Sequence, residues 1–304
     1  MADEVNVRWG LAQRFEFIEW RAYWVGRVNR KDLEDAFHIS TPQASIDFKR
    51  YQEAAPGNIE YNATEKTYVA TDAFRPKFLA LSPERYMLQL QAVTSGALRK
   101  SDTWFDELPR ADVIPTITRG AEAYTLRAII QTIKNGEAIK IYYRSLERVG
   151  LRTICPHALA HDGYRWHARA LSLERQEYRD YVLGRILSVS QPEPCNAHPT
   201  DDVEWETFVK LRVIAHPGLT SEQKATIEHD YRLKDGKLDI EMRAALAFYF
   251  IRRHNLDLRI SDISPERAQL FLENFGEVKA AVEEAKQRSK MLIAARGSAA
   301  SPPS

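Results

Sequence analysis

From Gly163 to Ile186 the chain reads GYRWHARALSLERQEYRDYVLGRI. Between Tyr164 and Leu171 the residue types alternate with the period of a β-strand. Tyr164, Trp166, Ala168 and Ala170 fall on one face, and Arg165, His167 and Arg169 on the other. Basic side chains packed side by side repel one another, so this face calls for an anion or for solvent. Guanidinium forks grip phosphate oxygens in pairs, and an imidazole donates to an oxyanion or stacks on a base. The chemistry on offer is capture of an anion, with a solvated sheet face as the plainer alternative. Arg165 and Arg169 stand out because no acidic residue shares their face within the strand. Trp166 alternates with alanines, which suits a core position.

Catalysis finds less support. Cys155 and His157 lie two apart on one predicted strand, where their side chains stand parallel and cannot make a nucleophile–base contact. His161 and His167 follow, but Asp162 is the one carboxylate near them that could orient a metal ligand. Neither a phosphate-cradling glycine loop nor a nucleophile elbow is present. The expectation is a protein without enzymatic activity, resident metal or cofactor.

At 304 residues the chain has room for two or three domains, and 44% hydrophobic and 28% charged residues suit a globular protein. The net charge of +1 hides an uneven distribution: residues 124–191 hold eleven Lys and Arg against six Asp and Glu. The first eighty residues are close to balanced. Cys155 and Cys195 belong to no CxxC pair, which argues against a disulfide scaffold or a zinc ribbon. MADEVNVRWG lacks the apolar core of a signal peptide, and the longest apolar run, Ala244–Ile251, is too short to span a bilayer. A cytoplasmic protein without membrane contact is expected.

The N-terminal 75 residues have the rhythm of three helices and a hairpin. Leu11, Phe15, Ile18, Ala22 and Val25 keep helical spacing. Asn29 caps a second helix over Arg30–Phe37. After the turn His38-Ile39-Ser40, Thr41 caps a third helix with Pro42 at its first position. That helix runs to about Glu53 and buries Ala44, Ile46 or Phe48, and Tyr51. Ile59–Tyr61 and Thr67–Ala70 make two strands around a polar turn. This order is that of a winged helix-turn-helix, whose third helix reads the major groove. Its outward face is predicted to carry Thr41, Gln43, Ser45, Lys49 and Arg50, and the wing Asn62, Thr64 and Lys66. Asp47 would oppose DNA if it faced the groove.

Residues 76–123 read as a proline-punctuated linker and dimerisation region with one helix, Ser82–Ser95. Residues 124–195 read as a helix, Tyr124–Lys134, stopped at Asn135-Gly136, and then a small, strongly bent antiparallel sheet. Residues 200–290 alternate strand and helix twice, from Phe208–Ala215 to Arg243–Asn255. Residues 291–304, ending in GSAASPPS, read as a disordered tail.

Read together, IKIYYRS, R-x-I-x-PHAL, GYRWHARA and YRDYVLGRI resemble, in that order, the WYL domain. Trp166-His167-Ala168 stands where that family has its Trp-Tyr-Leu triplet, so two of the three eponymous residues differ. The whole chain is similar to the BREX- and CBASS-associated repressors of bacterial anti-phage defence operons. The resemblance implies an α+β multidomain protein: an N-terminal winged helix-turn-helix, a central Sm-like WYL sheet and a C-terminal α/β extension domain. It further implies a homodimeric repressor on a palindromic double-stranded operator, modulated by a nucleotide or oligonucleotide ligand. The implied ligand residues are Tyr143, Ser145, Arg152, His157, Arg165, Trp166, His167, Arg169, Arg179 and Arg185. An RNA- or single-strand-binding adaptor of a defence complex, or an activator of the same architecture, are the alternative readings.

Overall fold

In a computed structural model, residues 9–115, 117, 120–258 and 263–299 are described. The chain divides into two compact units between residues 117 and 118.

The N-terminal unit opens with α1 (Trp9–Trp24), a two-residue strand β1 (Arg27–Val28), α2 (Arg30–Phe37) and α3 (Thr41–Ala54). It continues with the hairpin β2 (Ile59–Asn62) and β3 (Thr67–Ala70), then α4 (Pro83–Thr94). Cap chemistry sets the ends. Asn29 and Asp32 close a reciprocal capping box at the start of α2, and left-handed His38 ends that helix. The cap of α3 is Ser40, one residue before the predicted Thr41, its hydroxyl accepting from the Gln43 N–H. The three strands pair in the order β1-β3-β2. Phe15, Ile18, Leu33, Ala44, Phe48 and Tyr51 form the shared core. Between the two candidates for the buried side of α3, the structure buries Phe48 and leaves Ile46 46% exposed.

A buried carboxylate pins the segment after the wing. Glu19, fully buried in α1, accepts hydrogen bonds from the Tyr51 hydroxyl at 3.1 Å and from the backbone N–H groups of Lys77, Phe78 and Leu79 at 2.7–2.8 Å. A charged acceptor serving several donors is worth more than a neutral one, and its removal strands the donors.

The C-terminal unit begins with α5 (Ala123–Asn135), ended by left-handed Gly136 as predicted. Strands β4 (Glu137–Arg144), β5 (Val149–His161), β6 (Trp166–Ser172), β7 (Glu177–Val182) and β8 (Ile186–Val189) follow. They pair antiparallel in the order β7-β6-β5-β4-β8, and β9 (Glu193–Pro194) adds to β4. Ile139, Ile141, Ile154, Ala168 and Ala170 pack with Ile129 of α5. A bulge between Pro156 and Ala158 takes His157 out of register with β6.

Beyond lie α6 (Val203–Glu206), β10 (Phe208–Ala215), α7 (Ser221–Asp230), β11 (Lys237–Arg243), α8 (Ala244–Arg253), β12 (Leu270–Leu272) and α9 (Phe275–Ala299). Here β10 is central, between β11 and β12. The expected disordered tail is corrected over 291–299, since α9 continues through Ala299. Val278, Ala285, Ser289 and Ile293 keep one helical face buried. Residues 300–304 lie outside the described residues.

The two cysteines, set apart by the sequence reading, are joined. Cys155 of β5 and Cys195 just after β9 form a disulfide with Cα atoms 6.7 Å apart. It lies in a small core with Ala138, Leu171, Tyr178 and Ile293.

Glu19→Ala is expected to destabilise the N-terminal unit by roughly 2–4 kcal/mol, because buried N–H groups lose their acceptor. Urea unfolding followed by tryptophan fluorescence measures this as a lower midpoint.

Candidate nucleic-acid interface and ligand face

The helix predicted to read DNA has a sharply divided surface. Asp47 is fully buried and held by Arg14, whose Nε donates to Oδ2 at 2.6 Å. The acid that would repel phosphate is thereby withdrawn from the outward face. Thr41, Lys49 and Arg50 are exposed, and neither cation pairs with a carboxylate among the described residues. Two predicted readers are engaged within the fold. Gln43 Nε2 donates to Asp47 Oδ1 at 2.9 Å. Ser45 Oγ donates to the Thr41 carbonyl at 3.0 Å and accepts from Arg30 at 3.4 Å. In the wing, Asn62 accepts from the N–H groups of Thr64 and Glu65, shaping the turn. Thr64 and Lys66 are exposed at its tip.

The predicted ligand residues separate into groups. His157, Arg165, His167 and Arg169 come together, but their face is closed. Arg169 is 4% exposed. It meets Asp202 in a bidentate pair, Nε to Oδ2 at 2.7 Å and Nη2 to Oδ1 at 2.9 Å. Glu204 lies at 2.9 Å and Asp180 at 3.5 Å. His157 Nε2 lies 2.8 Å from the same Asp202, aimed there by the bulge. The expectation of an open arginine face is corrected here. No carboxylate shares the strand face in sequence, but acids 33 and 35 positions further on cover it.

Charge and burial compete in this cluster. Burial pushes the Asp202 carboxyl up, and the hydrogen bonds and charges of Arg169 and His157 more than offset it, holding it below the usual carboxylate range. Burial raises Glu204 in spite of Arg169. His167, 2% exposed, stacks on Tyr249 with ring centroids 5.3 Å apart. Burial lowers its pKa even though Asp180 and Asp162 attract the proton. The Tyr249 hydroxyl donates to Asp180 at 2.8 Å. Arg165 pairs with Asp162 at 3.2 Å across a turn. The hollow beside His157, Cys155 and Tyr178 measures about 50 Å³, room for a water or two and not for a nucleotide.

The remaining residues lie elsewhere. Tyr143 is core, its hydroxyl accepting from the Val182 N–H at 3.1 Å. Ser145 closes the β4–β5 turn on Arg148. Arg179 is 43% exposed and paired with Glu177 at 3.0 Å. Half-buried Arg152 donates to its neighbour's carbonyl. Arg152 and Arg179 share the sheet face of Ser172 and Tyr181. Burial raises the Tyr181 hydroxyl, opposed by Ser172 and by both of these guanidinium groups. Arg185 is half-buried in a short helical turn. Neither Arg152 nor Arg185 meets a carboxylate among the described residues. Trp166 is 53% exposed rather than core, its ring 4.9 Å from that of His161.

Sequence reasoning missed Asp180, Asp202, Glu204 and Tyr249, which close the face, although the acidic run DDVEWE was a signal. It also missed Arg253, which lies over the exposed Tyr164 ring at 5.4 Å. That contact needs Gly163, where a Cβ would sit 1.9 Å from the guanidinium.

No group of His, Cys, Asp and Glu among the described residues could hold a metal ion. No helix among them is long and apolar enough to cross a membrane.

A winged helix-turn-helix followed by a WYL sheet is the architecture of a transcriptional regulator, and the comparisons agree in order along the chain. Residues 10–92 match the BrxR transcriptional regulator winged helix-turn-helix domain. Residues 124–191 match the WYL domain, and residues 208–278 the BrxR C-terminal dimerization domain. The DNA-binding transcriptional repressor CapW of Escherichia coli (strain KTE188) is 37% identical over 92% of this chain and 94% of that protein. The repressors of the same name from Pseudomonas aeruginosa and Stenotrophomonas maltophilia are each 35% identical, over 90% of this chain and 92% and 93% of theirs. The chain belongs to the CapW family of DNA-binding transcriptional repressors, which are not enzymes. A solved structure of proteasome accessory factor B/C of Arthrobacter aurescens aligns over 90% of this chain and 46% of its own, at 13% identity and a TM-score of 0.28, too distant to inform the fold.

Arg169→Met is expected to destabilise the C-terminal unit by about 3–5 kcal/mol, because it leaves buried carboxylates unpaired. Arg179→Ala, at an exposed pair, should stay within about 0.5 kcal/mol. Thermal unfolding of both variants decides this. A histidine kept neutral by burial binds its proton more readily in the unfolded chain. It therefore contributes stability above about pH 6.5 and loses it as the pH falls through its lower folded value. His167→Phe should accordingly flatten the fall in stability between pH 7 and pH 5.

Proposed function

We propose that the protein is a cytoplasmic homodimeric repressor of an anti-phage defence operon, binding a palindromic operator through α3 and the wing. A nucleic-acid-derived anion, on this reading, binds the WYL sheet and weakens operator binding. The observation that carries the reading is the outward face of α3. Lys49 and Arg50 stand free there while Asp47 is drawn inward to Arg14, which leaves a cationic surface shaped for the major groove. The dimerization-domain match over 208–278 supports two copies, and two copies of one reader fit a two-fold symmetric site.

For the ligand, the phosphate contacts fall to the cations left open. These are Arg152 and Arg185, which meet no carboxylate among the described residues, and Arg179, whose single pair is at the surface. The exposed ring of Trp166 offers a face on which a base can stack. Arg169 and His157 act from behind, holding the acids of the 200–206 segment on the sheet. Thermodynamic linkage requires that ligand and operator weaken each other by one common factor.

Titration of the purified protein onto the DNA upstream of its own gene, at two salt concentrations, tests the first part. A shift is expected whose affinity falls steeply with salt, and no shift at either concentration overturns the reading. Lys49→Ala/Arg50→Ala should weaken operator binding and lessen the salt dependence. A short single-stranded oligonucleotide should loosen the complex of wild-type protein, and Arg152→Ala/Arg179→Ala should need more than tenfold as much of it.

A further inference from the structure

The centre of the DNA-facing surface of α3 is not polar. An α-helix turns about 100° per residue, so Ile46 stands opposite the buried set Ala44, Phe48 and Tyr51, all fully buried. Pro42, Lys49, Arg50 and Glu53, all exposed, surround it on the outward side. Ile46 itself is 46% exposed. Nearby hydrogen-bonding groups are partly engaged within the helix, one Gln43 N–H with Asp47 and the Ser45 hydroxyl with the Thr41 carbonyl. Glu53 stands one turn beyond Lys49 and Arg50, where its charge disfavours phosphate at that end. Close approach is thereby directed to the first two turns, which lead into the groove in helix-turn-helix proteins.

What an aliphatic side chain can recognise in a major groove is narrow. Adenine, guanine and cytosine present only donors and acceptors there, whereas thymine adds its C5-methyl group. An isoleucine on an exposed helix face gains nothing from helix propensity, being β-branched. It gains from contact when an apolar partner removes its surface from water. Lys49 and Arg50 on either side would hold the helix against the phosphates and fix which base step lies under Ile46.

We propose that Ile46 is a specificity-determining residue that reads the C5-methyl of one thymine in each half-site. This rests on the operator-binding reading above and says which group of the helix discriminates bases. It makes the central readout a methyl–methyl contact in place of a hydrogen bond from Gln43 or Ser45.

The test removes single methyl groups from DNA. Full-length protein selects its preferred duplex from a random pool, and each thymine of that duplex is then replaced in turn by uracil. Uracil keeps every hydrogen-bonding group and lacks only the methyl. One thymine per half-site is expected at which uracil weakens wild-type binding about two- to fivefold, the range of one buried methyl. Ile46→Ala, which preserves the helix, should bind more weakly and be indifferent to uracil at that position, and it should keep wild-type responses elsewhere. The inference is overturned if no uracil weakens the wild-type protein, or if Ile46→Ala retains the same uracil penalty. Failure to select any duplex would overturn the operator-binding reading itself, and the inference with it.

Discussion

The C-terminal unit depends on one buried ion pair, Arg169 with Asp202. The arginine comes from β6 and the aspartate from the segment ahead of α6, 33 residues later. Both are removed from water, which is costly unless each finds full compensation. Here Asp202 takes both the guanidinium fork and the His157 imidazole, and its other oxygen also caps α6 by accepting from the Trp205 N–H. Glu204 and Asp180 complete the surroundings of the arginine, and Tyr249 of α8 ties back to Asp180. The WYL sheet and the elements after it share these charges and lie in one compact unit.

That pair also divides the basic residues of the sheet by environment. Arg169, which faces the 200–206 segment, is satisfied and closed to solvent. Those on the opposite face or at the strand ends, Arg152, Arg179 and Arg185, stay partly exposed, with Arg179 in a surface pair. Basic residues alike in sequence thus become, in three dimensions, a buried paired set and a partly exposed one. The distinction lies in which carboxylates the fold brings in.

Much of the fold was legible because its signals are local. The capping box of Asn29 and Asp32, the left-handed stop at Gly136 and the alternation of Phe208–Ala215 each act within a few residues. The cap of α3 slipped by one residue because Ser40 and Thr41 are chemically alike. Two-residue β1, four-residue β8 and three-residue β12 carry too few residues to show a period, and their partners alone define them. The length of α9 was hidden by its polar surface, although Val278, Ala285 and Ile293 keep the helical interval. The candidate ligand site was the least legible part. The sequence placed Arg165, His167 and Arg169 on one face, yet Arg169 is neutralised by Asp202 and Glu204, which no strand-face argument reaches. On α3, alternation left Ile46 and Phe48 as rivals, and only packing against β3, where Phe48 stacks on Tyr68 at 4.2 Å, settled which was core.

The bond between Cys155 and Cys195 encloses a stretch of 40 positions, holding β6, β7 and β8. Seven of the ten residues implied as ligand contacts, His157 to Arg185, therefore lie on a covalent ring. Closing a ring of this length removes chain entropy from the denatured ensemble equivalent to about 4 kcal/mol. In a compartment whose glutathione pool keeps thiols reduced, that contribution vanishes. The same segment is then tethered by the β4–β9 pairing and the Tyr178 hydroxyl bond to the His198 carbonyl. The constraint on strands β6 to β8 thus follows the redox poise of its surroundings.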